Sequence, residues 1–205
     1  ILQGESNVNP DIYTHKSKRF EVDVLAGHPT LSIIEDIMAS EWGAVTSGGK
    51  VGSINKSNWL NYLNVELSNK YDAIVIDAGP SLGALNRSIL LGSTYFVTPL
   101  APDLFSLYSL ENIGNWVNDW GKSYNDKIQK ILDGEDLVAL QTLNEEYKKS
   151  NMRRIDIVKE TSVMKGYLGY TIQQYVTRSG GNNTRRKTKA YEEHIARIPD
   201  MSEQL

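Results

Sequence analysis

The 205-residue chain has no cysteine, which excludes disulfides, thiolate metal sites and a thiol nucleophile, and fits a reducing compartment. Histidine is nearly as scarce. His15, His28 and His194 are far apart in sequence and have no metal-ligand spacing. No apolar run approaches the ~20 residues of a membrane span. The N-terminal stretch ILQGESNVNPDIYTHK has neither the basic start nor the apolar core of a secretory signal. It also has no initiating Met, so the chain reads as cut from something longer. The formal net charge is −3, so any contact with nucleic acid must come from local basic patches.

What is present is ordinary globular material, 40% hydrophobic and 23% charged. It is enough for one sizeable domain over residues 1–205. Periodicity gives strands at 20–27, 73–78, 94–102 and 166–177. It gives helices at 29–42, 57–70, 82–93, 104–120, 123–150 and 190–198. Residues 43–56 and 179–189, rich in Gly, Ser and Asn, read as loops. Trp116 and Trp120, at i and i+4, share one helix face. Strands that alternate with helices predict an α/β fold, a doubly wound, mostly parallel sheet flanked by helices. The run AIVIDA (73–78) lacks polar alternation, as in a strand covered on both faces.

That run ends on Asp77, followed by Gly79-Pro80-Ser81. A carboxylate at a strand tip can hold Mg²⁺ against phosphate, and the following turn can expose backbone N–H groups. A strand-ending Asp can equally cap the next helix. A phosphate-cradling loop is not found. The candidate TSGGKVGSIN (46–55) has Val51 after Lys50 where Ser or Thr is required, its glycines are misspaced, and no strand enters it. It reads as a flexible loop.

Two basic clusters stand out. Residues 148–159 hold Lys148, Lys149, Arg153, Arg154 and Lys159 with one acid, Asp156. Residues 178–189 hold Arg178, Arg185, Arg186, Lys187 and Lys189 with no acid. Clusters of this kind suit sequence-independent contacts to DNA phosphates, or a solvated face.

The segment YDAIVIDAGPSLGALNRSILLGSTYFVTPLAPDLFSLYSLENI (71–113) resembles the central segment of the ParA/MinD family of deviant-Walker P-loop ATPases. The matching parts, in order, are the strand ending in Asp77, the Gly79-Pro80-Ser81-Leu82-Gly83 turn, the stretch from Pro99 to Pro102-Asp103, and the helix start at Ser106–Leu110. FEVDVLAGHPTLSIIED and YLGYTIQQYVTR with TKAYEEHIARIP resemble flanking parts of the same family, and ILQGES resembles the stretch after its second strand. Gly79 replaces the first proline of the usual Pro-Pro, which loosens the turn. Gln173-Gln174 stand where an Asn is usual near the adenine. The N-terminal Walker A segment has no counterpart.

The resemblance implies the central and C-terminal part of a larger ATPase domain. The intact protein would be a ParA-like partition ATPase, a dimer switched on and off non-specific DNA by ATP and Mg²⁺ during plasmid or chromosome segregation. It would be cytoplasmic and nucleoid-associated, with a ParB-like stimulating partner. Asp77 would serve catalysis and hold the metal. Gly79, Pro80, Ser81, Pro102, Asp103 and Gln174 would border the nucleotide or the dimer seam. Arg178, Arg185, Arg186, Lys187 and Lys189 would bind DNA. Alone, the chain is expected to bind ATP weakly and to be inactive. A MinD-like or cellulose-synthesis-associated ATPase, or a non-hydrolysing scaffold with the same fold, are the alternatives.

Overall fold

The structure is a computed structural model. It describes residues 12–47, 51–133, 138, 141–142, 145, 161, 163–173, 177–179, 185–187 and 189–203. The chain divides into two compact units, residues 1–92 with 126–159, and residues 93–125 with 160–205.

The first unit is mainly helical. Strands β1 (His15–Lys16) and β2 (Asp23–Val24) pair as a short antiparallel hairpin. Helix α1 (Leu31–Ser47) runs past its expected end, because Met38, Trp42 and Val45 form a buried stripe. α2 (Val51–Ser57) and α3 (Trp59–Ser68) follow, parted by a turn at Asn58. The loop expected at 43–56 is therefore helical on both sides of 48–50, which lie outside the described residues. Burial of Val45 and Ile54, both 0% exposed, outweighs the local glycine signal. α4 (Ala84–Leu91) packs on α1 and α3, and α1 also packs on α2.

In the second unit, β3 (Phe96–Leu100) and β4 (Tyr167–Ile172) pair in parallel, with a register irregularity between Phe96 and Thr98. Leu100, Leu107, Leu110 and Ile198 form its core, lined by Tyr170, Ile172 and Met201. Asn125 holds Thr161 at both backbone groups. Its Nδ2 donates to the Thr161 carbonyl at 3.1 Å, and its Oδ1 accepts the Thr161 N–H at 2.7 Å. A one-turn 3₁₀ helix (Val163–Gly166) leads into β4. Strands β5 (Thr177–Ser179) and β6 (Arg185–Lys187) form an antiparallel ribbon where a loop was expected. α6 (Lys189–Ser202) closes the unit.

Helix α5 (Leu104–Asp133) is continuous for 30 residues where two helices were expected. Its buried positions include 107, 110, 114, 117, 121, 124, 128 and 131, with Trp120 buried beside Gly121. They alternate steps of three and four, the seam period that lets one helix stay packed along its whole length. Trp116 and Trp120 meet edge to face, 5.8 Å between centroids, as their i, i+4 spacing predicts.

The described strands form three two-stranded sheets. The expected strand at 73–78 is not among them. It has no regular secondary structure and no strand partner among the described residues, and Val75 is 94% exposed. An apolar strand is buried only when neighbours cover its edges and faces, and among the described residues no strand pairs with this run.

Candidate functional site: a turn held from two sides

The stretch from Tyr71 to Ala84 is fastened at both ends. At its start the Tyr71 hydroxyl donates to Asp23 Oδ2 at 2.7 Å and lies 3.3 Å from Thr14 Oγ1. This ties the run to the β1–β2 hairpin. Lys70 lies over the Tyr71 ring, and its hydrogen bond to Tyr71 raises the ammonium pKa. The run then passes through an exposed Asp77 to the exposed Gly79, Pro80 and Ser81.

At the far end the chain enters α4 through Gly83, whose extended backbone makes it the N-cap. Glycine has no side chain with which to satisfy the first N–H groups of the helix. Glu35 of α1 does so instead. Its two carboxylate oxygens accept from Ala84 N at 2.5 Å and Leu85 N at 3.0 Å. The approach is so close that a Cβ at Gly83 would run into that carboxylate. A carboxylate at a helix N-terminus also meets the positive end of the dipole. One turn further on, burial lowers the Arg87 pKa and Glu35 partly opposes the shift.

Asn86 holds the turn itself. Its Nδ2 donates to the carbonyls of Gly79 at 2.6 Å and Ser81 at 2.5 Å, with Ser81 Oγ at 3.4 Å. Asn86 itself is only 8% exposed, while the turn residues it holds are exposed. Sequence reasoning missed Asn86 and Glu35. The signals available were a glycine at an N-cap, which demands a foreign cap, and an amide on the buried side of a short helix.

Of the other expected site residues, Pro102 and Asp103 belong to the second unit. Pro102 is buried, and Asp103 caps α5 by accepting from Ser106 N at 2.7 Å, while Ser106 Oγ accepts from Ala101 N at 3.1 Å. Gln174 lies outside the described residues, as does the 148–159 cluster. Arg178 and Arg186 sit directly opposite each other in the β5–β6 ribbon, Arg185 faces Ser179, and Lys187 faces Thr177. Lys189 is exposed at the start of α6.

Among the described residues no three His, Asp or Glu side chains gather as a metal cage. A lone exposed carboxylate such as Asp77 nevertheless fits Mg²⁺, which takes one or two carboxylates and completes its shell with water and substrate phosphate. No helix among the described residues is long and apolar enough to cross a membrane.

A family model described as an AAA domain matches residues 1–130. The chain is 25% identical over 187 residues to the "Virulence plasmid ParA family protein pGP5-D" of Chlamydia psittaci, a match covering 82% of this chain and 64% of that protein. It also resembles the crystal structure of protein DIP2308 from Corynebacterium diphtheriae, at 32% identity and a TM-score of 0.71, over 98% of this chain and 60% of that one. The chain thus spans less than two thirds of the length of either relative.

Proposed function

The chain belongs to the ParA-like family of AAA-domain proteins, and from that membership we propose that the intact protein is a ParA-like partition ATPase. ATP would switch a homodimer on and off non-specific DNA during plasmid or chromosome segregation, with a ParB-like partner stimulating hydrolysis. The single observation that carries this reading is the Asp77–Gly83 turn. An exposed carboxylate ends an apolar run, and the residues after it are hydrogen-bonded into a defined shape rather than left loose.

In this reading the chain supplies the central and C-terminal part of one larger ATPase domain whose complete sheet is doubly wound and mostly parallel. The parallel β3–β4 pair supports that topology, and the partial coverage of both relatives supports the larger size. Asp77 would hold Mg²⁺, and the metal would neutralise phosphate charge. Gly79, Pro80 and Ser81 would sense the γ-phosphate. Pro102 and Asp103, which fix the start of α5, would shape the nucleotide edge or dimer seam, and Gln174 would lie beside the base. Arg178, Arg185, Arg186, Lys187 and Lys189 would meet DNA phosphates along the ribbon and the start of α6. The protein would work in the cytoplasm, on the nucleoid.

The test is Mg²⁺-dependent ATP hydrolysis by the full-length protein, with and without DNA. Turnover that Asp77→Ala abolishes supports the reading. A full-length protein that neither binds nor hydrolyses ATP overturns it.

A further inference from the structure

We propose that Asn86 and Glu35 are positioning residues that aim the 79–82 backbone at the terminal phosphate of the nucleotide. The inference rests on the ATPase reading above and adds two residues and one donor to it.

An amide side chain has two N–H donors, and Asn86 spends both on one turn. It takes the carbonyls of Gly79 and Ser81, on either side of Pro80. All peptide bonds described are trans. Across a trans peptide the C=O and the next N–H point in opposite directions. Pulling the Gly79 carbonyl toward Asn86 turns the nitrogen of Pro80 outward, and that nitrogen has no hydrogen. Pulling the Ser81 carbonyl inward turns the Leu82 N–H outward, on an exposed residue. Of these two peptide planes, only the second presents a donor, and Asn86 sets its direction.

Glu35 settles a competing possibility. A helix N-terminus ordinarily attracts phosphate, and α4 begins immediately after the turn. Its first N–H groups are already taken by the Glu35 carboxylate. That negative charge repels a phosphate from the helix end. Anion recognition is thereby left to the turn, with Leu82 N–H as its fixed donor. The turn is held from two sides, by Asn86 inside α4 and by Glu35 across from α1.

The test uses the full-length protein with Asn86→Asp, which keeps the volume and removes both donors, and Glu35→Gln, which removes the charge and one acceptor. Three quantities are read: kcat, KM for MgATP, and the affinity for MgADP relative to a non-hydrolysable MgATP analogue. Asn86→Asp is expected to lower kcat about 10- to 100-fold, the size of effect that a small misplacement produces. MgADP affinity should stay within about twofold, because ADP lacks the γ-phosphate that the turn would sense. Preference for the triphosphate over ADP should fall in both variants. If Asn86→Asp does not fold, Asn86→Ser gives the same readout, since a shorter hydroxyl cannot span both carbonyls. A purely structural role would move melting temperature and all nucleotide affinities together, and that result overturns the proposal. Folded variants that keep the wild-type kcat and triphosphate preference overturn this inference alone. Wild-type protein without ATP binding overturns the ATPase reading and this inference with it.

Discussion

The Trp42 indole donates to the Ala84 carbonyl at 3.1 Å and lies 3.3 Å from Ser88 Oγ, so α1 grips the first two turns of α4. The same helix supplies Glu35 seven residues earlier, two turns away on the same face. Ser88 Oγ also donates to the Ala84 carbonyl, at 3.0 Å, so that oxygen keeps a partner if the indole is removed. Trp42→Phe should therefore cost only one hydrogen bond and some packing, about 1–3 kcal/mol. Urea denaturation measures it, and an unchanged midpoint would show that the grip contributes nothing.

Two glycines of the same motif should respond in opposite ways. A Cβ at Gly79 meets nothing within 4 Å, so Gly79→Ala should leave stability nearly unchanged. At Gly83 the Cβ collides with the Glu35 carboxylate, and Gly83→Ala should destabilise the fold by about 1–3 kcal/mol. Removing the collision with Glu35→Ala in the same chain should recover part of that loss. Thermal melts of the three variants decide it, and equal effects at 79 and 83 would contradict the packing described.

Asn125 replaces a strand-like bridge with one side chain, donating to and accepting from Thr161. Asn125→Asp keeps the acceptor and loses the donor, leaving the Thr161 carbonyl beside a negative charge. A loss of about 1–3 kcal/mol is expected. Stability that does not change between pH 7 and a pH below the carboxyl range would count against repulsion as the cause.

Asp77 is exposed, so Asp77→Asn should leave the melting temperature unchanged. In the full-length protein it should lower Mg²⁺-dependent ATP turnover by about 100-fold or more. A variant that keeps turnover would remove Asp77 from the metal site.

Arg178 and Arg186 are register partners across the ribbon, a placement that suits contacts along a phosphate backbone. Alanine at both positions should weaken DNA binding and reduce the salt slope by about 0.9 for each phosphate that is no longer neutralised. An unchanged slope would take the ribbon out of the DNA interface.

The sequence makes amphipathic segments plain. Leu31, Ile34, Ile37 and Met38 mark α1, and the apolar run at 94–102 marks β3, because each carries its own period. What it hides are features set by distant residues. Gly48 and Gly49 read as a loop, yet the helices on either side of 48–50 exist because Val45 and Ile54 are buried. The ribbon at 177–187 has too little hydrophobic alternation to announce its pairing. Ala73–Ala78 has the composition of an interior strand, but composition does not supply the neighbours that make one. The Glu35 cap spans 49 residues and the Trp42 bond 42, separations that no local window contains.

The unpaired run has a practical consequence for anyone who handles the chain. Ala73-Ile74-Val75-Ile76 is uncharged, rich in β-branched residues and open along its backbone, the profile of a segment that nucleates cross-β assembly. Asp72 and Asp77 bracket it like gatekeepers, with one negative charge at each end. Colloidal behaviour should therefore hinge on these two carboxylates. Asp72→Asn together with Asp77→Asn removes the guard, and such a chain should aggregate more readily than the wild type.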